Sequence, residues 1–255
     1  MIELWHLPLL FATAFAAGFV DSIAGGGGLI TLPVLMSFGL PPQEALGTNK
    51  LQATFGSGSA AWHYAAAGTV DWRDCARGFL LSLASAAAGA LAVQQMDPAF
   101  LRRVIPLLLI GVAVYFLVRP QLGETDRHSR MPRGLFDWLF GLGIGFYDGF
   151  FGPGTGTFWT MAFVLGLGFN LTRATGYTKF MNFASNLSSL ALFLAGGKVL
   201  FVAGLTMGVG QLLGARVGAR MVIRKGTRFI RPIFVSVVLL LTLKLLYDGF
   251  RAPAP

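Results

Sequence analysis

The stretch "GFVDSIAGGGG", Gly18 to Gly28, sets one aspartate and four consecutive glycines inside an otherwise apolar segment. The pattern returns in "GFYDGFFGPGTG", where Gly18, Phe19, Asp21, Gly25 and Gly27 recur as Gly145, Phe146, Asp148, Gly152 and Gly154. Neither "GGGG" nor "GPGTG" continues a helix through lipid, because unpaired backbone there costs several kcal/mol unless protein or water covers it. Each is expected to form the tip of a helical hairpin buried inside the protein.

Composition supplies the bilayer. Apolar residues make up 55% of the 255-residue chain and charged residues only 12%, about half the charged share of a soluble domain. Apolar runs near the ~20 residues that cross a membrane recur along the whole length, leaving no stretch for a soluble domain. They fall at about 7–24, 29–40, 45–67, 76–95 and 100–118, then 135–151, 155–169, 173–195, 198–222 and 229–248. The two sets match in order and length. An offset of 127 residues aligns the glycine motifs and joins Gly39 to Gly166; from there an offset of 129 pairs Gly47 with Gly176, Lys50 with Lys179, Gly89 with Gly218 and Arg102 with Arg231. The chain reads as a duplication, with membrane repeats at 1–119 and 135–255 and a cytoplasmic linker at 120–134 inside "RPQLGETDRHSRMPRG". The N-terminus carries Glu3 and no Lys or Arg ahead of its apolar run, so it reads as a retained first membrane segment rather than a cleaved signal. The expected fold is an all-α polytopic membrane protein of about eight conventional segments plus helix breaks.

The net charge of +9 sits in short loops between apolar runs rather than in one aromatic-interleaved patch, which reports orientation and not nucleic acid. If residues 7–40 made one broken span, each half would cross four times, and Arg73, Arg77, Arg119, Arg127, Arg130 and Arg133 would lie opposite Arg220, Arg224, Lys225, Arg228 and Arg231. If the hairpin enters and returns, all of these share one face, leaving mainly Arg102, Arg103 and Lys198 on the other. The positive-inside bias selects the hairpin, which makes the halves inverted repeats with both termini outside the cytoplasm.

Inverted repeats with short, glycine-interrupted segments at matching positions point to a transporter site near the midplane. Half-helices starting from about Gly28 and about Gly156 would present unpartnered N–H groups and positive dipole ends, and two such ends facing each other would hold an anion. Gly25, Gly26, Gly27, Gly28 and Gly156 would let backbone approach it closely, while Thr155 and Thr157 would add hydroxyl donors. The competing role for these glycines is tight helix packing; a matched stretch with a matched aspartate favours the site. Helical spacing then aligns Lys50, Thr54 and Ser57 on one polar face and Lys179, Asn182, Asn186 and Ser189 on its counterpart. Each lysine is placed about one and a half turns inside its helix, where an ionised group costs ~2.5–3.5 kcal/mol unless paired or hydrated. Two compatible roles follow: charge partner of an anionic substrate, or neutraliser of the aspartate in the same repeat, Asp21 with Lys50 and Asp148 with Lys179. Asp21 and Asp148 are also candidates for a coupling proton or sodium ion.

Other singular residues read as structural. Arg216 and Arg220 extend to the surface as snorkelling side chains, His63 beside Trp62 belongs to an interfacial belt, and His6 and His128 are tail and loop residues. The single Cys75 excludes an internal disulfide and a cysteine-based metal cluster. The glycine stretches complete no nucleotide-binding motif, the three histidines lack metal-ligand spacing, and no nucleophile, base and orienting group assemble. No cofactor and no enzymatic activity are expected.

The motif "GFVDSIAGGGGLITLPVL", the following "ALGTNKLQATFGSGSAAWHY", and "GFYDGFFGPGTGTF" with "TGYTKFMNFASN" closely resemble the sulfite exporter TauE/SafE family, also called TSUP, of probable membrane transporters. The resemblance covers essentially the whole chain, duplication included. It implies a bacterial inner-membrane transporter for small sulfur-containing anions such as sulfite, sulfoacetate or other sulfonates. The halves differ where Thr48 and Asn49 become Tyr177 and Thr178, so unequal contributions to the ligand are expected, with Asn49, Lys50, Lys179 and Asn182 lining the cavity. A channel and a membrane subunit of a redox enzyme are the alternatives.

Overall fold

The computed structural model describes residues 3–101, 103–105, 107–108 and 126–225. The apolar runs expected at 109–118 and 229–248, and the C-terminus, lie outside them. The described residues form helices α1 (Leu7–Ala24), α2 (Gly27–Ser37), α3 (Pro42–Ala66), α4 (Ala76–Gln94), α5 (Arg133–Phe150), α6 (Thr155–Leu167), α7 (Leu171–Ala195) and α8 (Phe201–Lys225), with short 3-10 turns at Leu4–His6 and Trp72–Cys75 and further helical residues from 98 on. Among the described residues, three spans, Leu4–Ala24, Trp72–Gln94 and Phe201–Lys225, are long and apolar enough to cross a membrane.

Both glycine stretches are hairpin tips. α1 ends where Gly25 takes a left-handed conformation at φ 79°, and α2 folds back so that the backbone at Gly27 packs on Asp21 and Ala17. At the open end, the His6 ring lies 4.7 Å from that of Phe38. The second hairpin closes the same way, with Arg127 N–H donating to Gly168 O at 2.7 Å and Arg130 N–H to Gly166 O at 2.9 Å. The half-helices begin one residue earlier than the sequence suggests, at Gly27 and Thr155. Likewise α3 begins at Pro42, where proline suits the first turn, and α7 at Leu171, capped by the Asn170 side chain. Lys50 and Lys179 therefore lie about two turns inside, deeper than expected.

Packing exchanges helices between the halves. α1 runs parallel to α8, with Gly210, Gly214 and Gly218 seated on the backbone of Phe11, Phe15 and Phe19. α5 runs parallel to α4, with Gly141, Gly145 and Gly149 against Gly78, Ser82 and Ala86. The contact of Gly18 with Gln211 and that of Gly145 with Ser82 are the same contact under the offsets of the duplication. Small residues let these backbones approach closely, which is what holds helices together where the surroundings are as apolar as the side chains.

α3 and α7 are counterparts in the duplication, and they cross antiparallel: Gly47 meets Phe193 at one end and Gly176 meets Tyr64 at the other. Two repeats of four crossings each would place them parallel. The antiparallel crossing fits hairpins that enter and return, the relation that inverted repeats require.

The apolar core is split in two. One cluster joins Leu10, Leu29, Leu32, Leu35, Phe151, Phe193 and Met207 at the end where α1 begins. The other joins Ile23, Tyr64, Phe136, Trp159, Phe163 and Tyr177 at the end where α5 begins. Between them, the middle of α3 and α7 carries a belt of buried polar residues, Thr48 to Ser57 and Thr175 to Ser189.

Candidate functional site

The two tips touch. A Cβ on Gly156 would lie 2.6 Å from Gly25 Cα, and one on Gly25 would lie 2.4 Å from the Gly156 carbonyl carbon, so only glycine fits at either position. Thr157 Oγ1 fastens the contact by donating to Ala24 O at 2.7 Å. α2 and α6, of 11 and 13 residues, would each reach about 16–20 Å, so end to end they cover roughly a hydrocarbon core. Touching tips leave no space for an anion directly between them. The room lies beside them, in a cavity of about 30 Å³ lined by residues that include Gly25, Gly28, Asn49, Lys50, Thr155, Gly156 and Asn182 together with Asp21 and Asp148.

Of the expected site residues, Gly26, Gly27, Thr157 and Lys179 are outside this lining. Neither threonine hydroxyl offers its proton to the cavity: Thr155 Oγ1 donates to Gly152 O and Thr157 Oγ1 to Ala24 O. Both half-helices start from a glycine N-cap without a side-chain cap, and the Gly156 N–H has no hydrogen-bond partner among the described residues.

The ion pairs cross between repeats. Lys50 Nζ donates to Asp148 Oδ1 at 2.6 Å, to Asp148 O, and to Asn186 Oδ1 at 3.2 Å. Lys179 Nζ donates to Asp21 Oδ2 at 2.9 Å and to Asp21 O. Neither lysine pairs with the aspartate of its own repeat. Because α1 packs on α8 and α5 on α4, each tip aspartate is carried across to the other repeat's polar helix. Both lysines are buried, with all three Lys50 protons placed. Full pairing is what an ammonium needs in a water-poor interior.

Asn49 is held from behind: its Oδ1 accepts from Thr31 Oγ1 at 2.6 Å and Gln52 Nε2 at 2.7 Å, which turns its Nδ2 to the cavity. Its counterpart Thr178 instead meets Thr160 Oγ1 at 3.1 Å and is not in the cavity lining.

The sequence reading missed Gln211, which reaches the cavity from α8. An uncharged amide at the centre of the apolar, glycine-rich run 201–222 was the available signal. Asn186 lines the cavity and completes the Lys50 cluster. Arg216 and Arg220 are exposed on α8, and Cys75 is buried and free. His63 bonds within its helix to Ser59 O at 2.7 Å beside Trp62, which is 73% exposed. His6 is more than a tail residue, since its ring contacts Trp5 and Phe38.

Paired helical hairpins closing on a buried, charged centre with an apolar cluster at each end define a polytopic membrane protein of the transporter type. The chain belongs to the sulfite exporter TauE/SafE family, whose model matches residues 10–245. It is 47% identical over 242 residues to the probable membrane transporter protein ORF9 of Sinorhizobium sp, covering 95% of this chain and 93% of that one. It is also 47% identical over 249 residues to the probable membrane transporter protein YfcA of Escherichia coli (strain K12), covering 98% and 93%. A probable membrane transporter protein of Haemophilus influenzae is 46% identical over 242 residues, 95% of each chain. No solved structure matches significantly. The protein is a multi-pass membrane transporter and not an enzyme.

Proposed function

We propose that this protein is a secondary transporter of small sulfur-containing anions, sulfite or an organosulfonate such as sulfoacetate, working by alternating access. The observation that carries the reading is the convergence of two half-helix N-termini, each with a glycine N-cap, with Asn49 and Lys50 on one cavity. Positive dipole ends, a cavity-facing amide donor and an ammonium suit a compact oxyanion. The family description names sulfite, which agrees with that chemistry.

The cavity of about 30 Å³ takes a water or two and not an anion of four or more heavy atoms. Binding such an anion therefore requires the cavity to widen, a conformational change that supports a carrier over a channel. The chain would sit in a bacterial inner membrane with its arginine-rich loops cytoplasmic and both termini periplasmic.

The test is uptake by the purified chain in liposomes of sulfite, thiosulfate, sulfoacetate, taurine, isethionate and sulfur-free oxyanions. Saturable, trans-stimulated uptake of a sulfur anion is expected, at least tenfold weaker in Lys50→Ala. Ohmic single-channel currents would replace the carrier with a pore. Absence of flux for every anion would return the chain to the role of a membrane subunit for another enzyme.

A further inference from the structure

The two ion pairs hold equivalent places in the duplication but have different surroundings. Asp148 is sealed: Oδ1 accepts from Lys50, Oδ2 from Ser185 Oγ, and Asn186 takes the remaining Lys50 proton. Only 5% of its side chain is exposed. Asp21 is open by comparison, with 16% of its side chain exposed. Its Oδ1 meets only the Gly27 N–H, at 3.2 Å, and Lys179 Nζ finds acceptors on Asp21 alone among the described residues.

The cause lies in α3. The residues that seal Asp148, Ser185 and Asn186, have Gly56 and Ser57 as counterparts, and Ser57 Oγ turns back to Ala53 O. Gln211 fills the gap from α8, its Cγ 2.4 Å from where a Gly56 Cβ would stand. Gln211 is 3% exposed and Asn182 5%, and Gln211 Oε1 and Asn182 Oδ1 have no hydrogen-bond partner among the described residues. Both side chains line the cavity with Asp21. Its charged lining residues are Asp21, Asp148 and Lys50, and with Lys179 seated on Asp21 each carboxylate is paired with one ammonium. Water-sized, with two unpartnered buried amide oxygens beside a carboxylate, the cavity suits a small hard cation.

We propose that this cavity is the site of a coupling monovalent cation, a proton or a sodium ion, held by Asp21 with the amide oxygens of Gln211 and Asn182, and that Asp148 is a fixed structural joint. Coupling rests on the transport reading; occupancy of the site does not. The charged and titratable groups around Asp21 are Lys179 on α7, Lys50 on α3, Asp148 on α5 across the cavity, and the Tyr64 hydroxyl on α3, which donates to Ser22 O at 3.1 Å. α8 contributes the neutral Gln211.

The test is made on purified full-length protein in nanodiscs without any anionic substrate. For sodium, saturable binding of radioactive Na⁺ is expected, at least tenfold weaker in Asp21→Asn and Gln211→Leu and within twofold of wild type in Ser185→Ala, whose hydroxyl serves Asp148 and carbonyls of its own helix and no amide oxygen of the site. For a proton, acidification raises an infrared carboxylic-acid band that is absent in Asp21→Asn and present in Ser185→Ala. If Asp21→Asn is not recovered folded, Asp21→Glu and Gln211→Leu replace it, with weakened or shifted signals expected. Neither signal in the wild type, or either signal undiminished without the Asp21 carboxylate, overturns the proposal. Cation binding without transport of any anion would sink the transport reading and leave this site standing.

Discussion

Gly25→Ala and Gly39→Ala form a controlled comparison for the tip contact. Both glycines are left-handed, at φ 79° and φ 80°, so alanine carries the same conformational strain at each, about 1–2 kcal/mol. Around Gly39 no described residue lies within 4 Å of an added Cβ, and the cost should end there. At Gly25 the new methyl would stand 2.4 Å from the Gly156 carbonyl carbon and 2.6 Å from Thr157 N. Those are backbone atoms of the opposing tip and cannot swing aside as a side chain would. Overpacking of that kind adds about 1–3 kcal/mol, for a total of about 2–5 kcal/mol at Gly25. Reversible unfolding in mixed micelles reads both costs, and liposome uptake reads the consequence: Gly25→Ala should forfeit most transport, Gly39→Ala little. Variants equal in stability within about 0.5 kcal/mol, the usual additivity error, would mean that the tips do not meet.

Lys50→Ala strands the buried Asp148 carboxylate and should destabilise by about 3–5 kcal/mol. A double-mutant cycle on unfolding should give strong coupling for Lys50 with Asp148 and almost none for Lys50 with Asp21; the reverse would restore pairing within each repeat. Thr157→Val removes the hydroxyl bridge to Ala24 O, costing about 0.5–1.5 kcal/mol, and a neutral result would deny that bridge any part in closure. Gly143→Ala, mid-helix in α5 with open space around its Cβ, should stabilise by up to about 1 kcal/mol, measured by the same unfolding.

The hairpins were legible because glycine and proline have few uses in lipid, and "GGGG" and "GPGTG" sit where a helix would otherwise run on. The arginine distribution leads to the expectation of inverted repeats, and the antiparallel crossing of α3 and α7 fits it. Which lysine meets which aspartate was not legible. Asp21 and Lys50 are close in sequence, and only the seating of α1 on Gly210, Gly214 and Gly218 of α8 takes Asp21 to Lys179. The glycine stripe is visible in the sequence, but a stripe does not name its partner. Thr155 and Thr157 looked like ligand donors for an equally local reason: a hydroxyl at a helix start serves a carbonyl of the chain as readily as an anion. Gln211 escaped because its counterpart Ser82 shares no chemistry with it.

The seating of each half's opening helix on the other half's fourth helix bears on assembly. The pattern is that of two halves interlocked through their opening helices, so that neither buries its own tip alone. It also means that α1, made well before α8, gains its main neighbour only when α8 emerges, so the amino-terminal half cannot reach its final packing alone.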